Sequence, residues 1–160
     1  MIPAKFDYVR PSSVGDAVSA LARGGEDAKV IAGGQSLLPL LRLRLSYPEL
    51  LVDVGGLDEL SGVTDDGDHL LIGARTTHYQ VVHDPLIAEH CGLLAEAAGT
   101  VADPAVRHRG TLGGSLAHAD PAGDAVTLDR VKGGARHARR HPLDVQEHVP
   151  RSLRRYRDRE

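Results

Sequence analysis

At 160 residues with 41% hydrophobic side chains, the chain is sized for one ordinary domain or one and a part, and no apolar stretch approaches the about 20 residues that a membrane-spanning helix needs. One cysteine, Cys91, excludes an intrachain disulfide framework and any four-cysteine zinc or iron–sulfur centre made by this chain alone, and sets a reducing, cytoplasmic location as the default expectation. The net charge of −3 hides a split: residues 1–125 carry 9 Lys and Arg against 17 Asp and Glu, whereas residues 126–160 carry 10 against 5.

Phe6 to Pro11 reads as a short edge strand closed by proline. Ser12 or Ser13 caps the helix that follows, with Val14, Ala17, Val18 and Leu21 on one face and Gly24-Gly25 at its end. Ala28 to Ala32 is then a buried strand, and this strand, helix, strand order favours an α/β arrangement. Leu37 to Leu45 is a short helix or an extended segment, and the alternation of Leu41, Leu43 and Leu45 with arginines argues for extension in its second half. Leu50 to Val54 is a strand, Leu57 to Leu60 suits one helical turn, and the run from Gly62 to Ala74 is a hairpin around the acidic turn Asp65-Asp66-Gly67-Asp68. Thr76 or Thr77 begins a helix through Val82. Asp84-Pro85 opens another, with a stripe of Leu86, Ile87, Leu93, Leu94, Ala97 and Ala98 that Gly99 stops. Asp103 to Arg109 is polar and reads as a loop.

Two stretches carry the chemistry. Val30-Ile31-Ala32-Gly33-Gly34-Gln35-Ser36-Leu37-Leu38 has a second, similar copy about 80 residues later at Thr111-Leu112-Gly113-Gly114-Ser115-Leu116. Paired glycines remove two Cβ atoms and permit positive φ, so backbone amides can turn toward a ligand. A helix starting at Ser36 would aim its free first-turn N–H groups into the same space, and an anion is the natural guest. Neither stretch is a GxGxxG or a GxxxxGK[ST] phosphate motif, and a Gly-Gly pair is also a plain tight connection. Thr111 and Ser115 are equally suited to capping or turn roles.

From these residues the chain resembles the start of the FAD-binding, or medium, subunit of molybdenum hydroxylases, the carbon monoxide dehydrogenase and xanthine dehydrogenase group. The matching pieces are Ile2 to Tyr8, Ala32 to Leu37, Val106 to Leu116 and Ala117-His118-Ala119-Asp120-Pro121-Ala122-Gly123-Asp124, in the family's order and separation. The resemblance implies an α+β fold, the N-terminal part of a vanillyl-alcohol-oxidase (PCMH)-type FAD-binding domain with two small α/β subdomains, the second incomplete. It implies that Lys29, Val30, Ile31, Ala32, Gly33, Gly34, Gln35, Ser36 and Leu37, together with Thr111, Gly113, Gly114 and Ser115, line FAD. It further implies that Ala117 lies beside the cofactor and Asp124 near the flavin or ribityl end. It also implies an iron–sulfur small subunit with 2Fe–2S clusters and a molybdenum large subunit with molybdopterin cytosine dinucleotide as partners. On this resemblance the subunit's own part would be to hold the flavin that passes electrons to an external acceptor.

The family's subunit is nearly twice this length, so residues 1–125 read as a partial FAD-binding domain. Residues 126–160, dense in Arg and His, read as a solvated basic tail, a nucleic-acid-binding arm or, as the leading expectation, an out-of-frame end. With walls around the flavin ring missing, weak or lost FAD affinity is expected, and a truncated, non-catalytic remnant that does not retain FAD is the alternative. No catalytic residue and no metal site is expected. His78, His83 and His90 are scattered, and Ser115, His118 and Asp120 stand too close in sequence to form a triad. Cys91 reads as a buried small hydrophobe.

Overall fold

A computed structural model describes residues 2–67 and 69–119, which fold as an α+β structure around two apolar clusters. Strands β1 (Asp7–Val9), β2 (Ala28–Ile31) and β3 (Leu50–Asp53) form a parallel sheet in the order β1-β3-β2, with Asp7 and Ala28 flanking Leu50 on either side. β3 is therefore the central strand, and its Leu51 and Val52 are sealed from water. Helix α1 (Val14–Gly24) connects β1 to β2. The Ser13 hydroxyl accepts the Asp16 N–H at its start, and Gly25, at φ +59°, ends it. Ala17 and Ala20 face Val52, Val54 and Leu57 in the first cluster, where small side chains let the helix lie close on the sheet. Helix α2 (Leu37–Arg42) joins β2 to β3.

The second cluster begins with a hairpin of β4 (Val63–Asp65) and β5 (Leu70–Ile72), Val63 opposite Ile72. Five short helices follow: α3 (His78–His83), α4 (Pro85–His90), α5 (Gly92–Thr100), α6 (Pro104–Arg107) and α7 (Leu112–His118). Val81, Ile87, Leu94, Ala98 and Leu112 are its buried centre, with Val63, Leu70 and Ile72 of the hairpin packed against them. Among the described residues no aromatic side chain is counted with the buried hydrophobic ones, in keeping with the scarcity of Phe and Trp. Arg75 ties the clusters together. Its Nη1 donates to the Gly55 carbonyl, its Nη2 to Asp58 at 2.8 Å and its backbone N–H to the Leu60 carbonyl at 2.7 Å.

Five expectations change. β2 is a half-open edge strand rather than a buried one, with Val30 45% exposed. Leu43 to Leu45 turns rather than extends: Leu43 is helical in φ and ψ, Arg44 has φ +57°, and Leu43 and Leu45 face water, so their alternation is not the buried face of a strand. The single helix expected from Asp84 to Gly99 is two, because the chain breaks at Cys91 (φ −141°, ψ 46°). Cys91 itself is half-buried at that break, against the second cluster. The polar stretch from Asp103 contains α6, capped by the Asp103 carboxylate on the Val106 N–H. Gly113-Gly114 is not a tight connection but part of the first turn of α7.

Candidate functional site

β2 ends at the carboxyl edge of the parallel sheet, the side on which open α/β sheets hold their ligands, and its chain runs straight into the first glycine pair. Lys29, Val30 and Ile31 lie in β2 and Ala32 just past it. Gly33 to Ser36 form the connection, and Leu37 is the first residue of α2. Gly34 has φ +71°, a conformation strained for any residue with a Cβ. Gly33 serves a close approach: a Cβ there would stand 2.0 Å from the Arg109 carbonyl oxygen and 3.0 Å from the Gly110 Cα. The two glycine stretches, 80 residues apart in sequence, thus meet backbone to backbone at the segment that leads into the second.

The first connection presents donors. Among the described residues, no hydrogen bond uses the backbone N–H groups of Gly33, Gly34, Gln35, Ser36 or Leu37. The Gln35 side-chain amide donates to the Gly33 carbonyl at 2.9 Å. Because a trans peptide sets its C=O and N–H on opposite sides, that brace turns the Gly34 N–H away from the Gln35 side chain. Ser36 is the residue before α2 but its hydroxyl caps nothing, and α2 has only six residues. The anion argument therefore rests on loop amides rather than on a long helix dipole.

The second stretch is built differently. Thr111, 4% exposed, caps α7: its Oγ1 accepts the Gly114 N–H at 3.1 Å and its carbonyl the Ser115 N–H at 3.0 Å. The Leu112 N–H goes to the Thr76 carbonyl and the Gly113 N–H to the Ala74 carbonyl, each at 2.9 Å. All four N–H groups from Leu112 to Ser115 are spent inside the chain, so the expectation that both stretches offer main-chain hydrogens to a ligand holds only for the first. A Cβ at Gly113 would lie 2.7 Å from the Ala74 oxygen, so this glycine lets α7 close on the end of the hairpin. Ala117 is exposed on α7, and Asp124 lies outside the described residues, as does the tail from 126 to 160.

Sequence reasoning missed His78. It is 2% exposed, its Nε2 lies 2.9 Å from Ser115 Oγ, and its Nδ1 is buried without a partner among the described residues. Burial pushes its pKa below the usual imidazole value of 6.5, so the ring is neutral at pH 7. Its ring also lines Gly110, whose added Cβ would sit 3.1 Å from His78 Cδ2. Nothing local in the sequence announces a pair 37 residues apart.

Residues 4–135 match the family described as FAD binding domain in molybdopterin dehydrogenase. The carbon monoxide dehydrogenase medium chain of Hydrogenophaga pseudoflava is 47% identical over 128 residues, covering 80% of this chain and 45% of that one. The medium chain of the same enzyme from Afipia carboxidovorans is 41% identical over 135 residues, covering 84% and 47%. A solved structure of carbon monoxide dehydrogenase from Hydrogenophaga pseudoflava superimposes with a TM-score of 0.76 at 47% identity, over 78% of this chain and 44% of that one. The chain thus spans less than half the length of these relatives. By its sequence and by the fold that places Gly33 against Gly110, it belongs to the family of FAD-binding domains of molybdopterin dehydrogenases.

Proposed function

We propose that this chain holds the diphosphate of FAD as part of the FAD-binding subunit of a molybdenum hydroxylase of the carbon monoxide dehydrogenase and xanthine dehydrogenase type. The observation that carries the reading is the row of unengaged N–H groups from Gly33 to Leu37 at the carboxyl edge of β2. In this reading Gly33 and Gly34 let phosphate oxygens approach the backbone, Gln35 fixes the peptide that presents the Gly34 N–H, and Lys29 to Ala32 form the strand that delivers the loop. Thr111, Gly113 and Gly114 shape the facing wall, Ser115 adds a hydroxyl donor, and Ala117 and Asp124 stand further along the cofactor. The electron-carrying chemistry is the flavin's own when it is bound, and the chain's residues bind and orient it. The partners are an iron–sulfur small subunit with 2Fe–2S clusters and a large subunit carrying molybdopterin cytosine dinucleotide, and an external acceptor receives the electrons.

Magnitudes limit what this chain achieves alone. Hydrogen bonds to a charged group contribute about 1.5–3 kcal/mol each, and association costs roughly 4–15 kcal/mol before any contact is counted. A handful of amide contacts therefore gives this chain by itself an affinity in the micromolar range or weaker. In a fluorescence titration of the purified chain, FAD is expected to bind saturably, and ADP to displace it while riboflavin, which lacks the diphosphate, does not. Equal displacement by riboflavin defeats the diphosphate reading, sub-micromolar FAD binding defeats the expectation of weak affinity, and no saturable binding favours the alternative of a chain that does not retain FAD.

A further inference from the structure

We propose that His78 is a positioning residue that holds the Ser115 hydroxyl as a hydrogen-bond donor toward the bound anion, an inference that rests on the diphosphate reading above. The geometry poses a choice between two neutral tautomers. If Nε2 is bare, it accepts the Ser115 hydroxyl proton, and Nδ1 then carries a buried N–H with no acceptor among the described residues. If Nε2 carries the proton, it donates to Ser115 Oγ and leaves Nδ1 as a bare acceptor. Orphaned buried N–H donors are rarer in proteins than under-satisfied acceptors. The second arrangement is therefore the stable one.

Its consequence falls on Ser115. A hydroxyl that has accepted from Nε2–H keeps its own proton, and His78 is the one partner of Ser115 Oγ among the described residues, so that proton is available to a ligand. With the other tautomer Ser115 would turn only lone pairs outward and repel a phosphate oxygen. The pair is also placed to matter, since the His78 ring packs on Gly110, whose Cα is the backbone that Gly33 approaches. Ser115 itself is half-buried on α7, at the border between that packing and solvent.

The test has two arms. Two-bond proton–nitrogen correlation spectra of the ¹⁵N-labelled chain at neutral pH are expected to show His78 with Nε2 protonated and Nδ1 bare. A proton on Nδ1, or a charged ring, overturns the inference without any ligand. In the second arm, ADP is titrated against the unmodified chain, Ser115→Ala, His78→Leu, His78→Gln and the Ser115→Ala/His78→Leu double variant, with circular dichroism recording that each is folded. Ser115→Ala and His78→Leu are expected to weaken ADP binding by about ten-fold, as for one hydrogen bond to a charged group. The double variant is expected to do no more than either alone, and His78→Gln, whose amide keeps a donor near the Nε2 position, to restore most of the affinity. Equal binding by Ser115→Ala and the unmodified chain, or additive losses in the double variant, overturns the inference while leaving the diphosphate reading intact. Absence of ADP binding by the unmodified chain defeats that reading and the ligand half of this one, and the spectrum then decides the tautomer by itself.

Discussion

His78 illustrates how one side chain links stability to pH. The folded chain holds it neutral and buried, whereas in the unfolded chain the imidazole takes up a proton near its ordinary value of 6.5. Below that value the unfolded state binds a proton the folded state refuses, so stability is fully present above 6.5 and is lost as the pH falls toward the depressed folded value. For one group the slope is at most about 1.4 kcal/mol per pH unit. Urea midpoints measured from pH 7.5 down to about 5 are expected to fall for the unmodified chain and to fall less for His78→Gln. At this scale the sequence is legible where a residue acts on its neighbours, as Ser13 does on Asp16, and opaque where its partner is distant. His78 and Ser115 are separated by 37 residues, and nothing in the spacing of histidines points to a serine.

Short helices depend on their ends. α3, α4 and α6 are each of six residues or fewer, too short to persist on intrinsic propensity, and each starts on a side chain that satisfies a free N–H group. In α3, the Thr77 hydroxyl accepts the Gln80 backbone N–H while the Gln80 side-chain Oε1 accepts the Thr77 backbone N–H, a reciprocal box. Thr77→Ala is expected to cost about 1 kcal/mol in chemical unfolding and to raise amide exchange first at Gln80. The signals at Thr77 and Asp84-Pro85 are readable in the sequence because a hydrophobic period follows them. Asp103-Pro104 carries the same signature, but its helix of four residues is too brief for a period to show. The arginine and leucine alternation after Leu40 misleads for a related reason: it mimics a strand's two faces, while Leu43 and Leu45 are both exposed.

For the molecule as a whole, the decisive contact is between Gly33 and the Arg109–Gly110 backbone, which brings the sheet cluster against the helical one. Gly33→Ala places a Cβ 2.0 Å from the Arg109 oxygen, so one of the two segments must retreat. The expected cost is about 1–3 kcal/mol, as for overpacking a core. Urea unfolding checks it, and ADP titration of the same variant is expected to show weaker binding. The matched composition of the two glycine stretches reflects a need for bare backbone in each, Gly33 against Arg109–Gly110 and Gly113 against Ala74. It does not reveal that one is a loop with open amides and the other a helix whose amides are consumed, since Gly-Gly satisfies either demand and only the Ala74 and Thr76 carbonyls decide between them.

The Gln35 brace and the Arg109 backstop mean that the posture of the first loop is imposed partly from outside it. Transplanting Ala32 to Leu37 alone onto another parallel sheet would copy the letters and lose the stance. Conversely, a remote change in residues 104–110 that shifts the backstop by a fraction of an ångström would retune anion affinity without altering any residue of the loop.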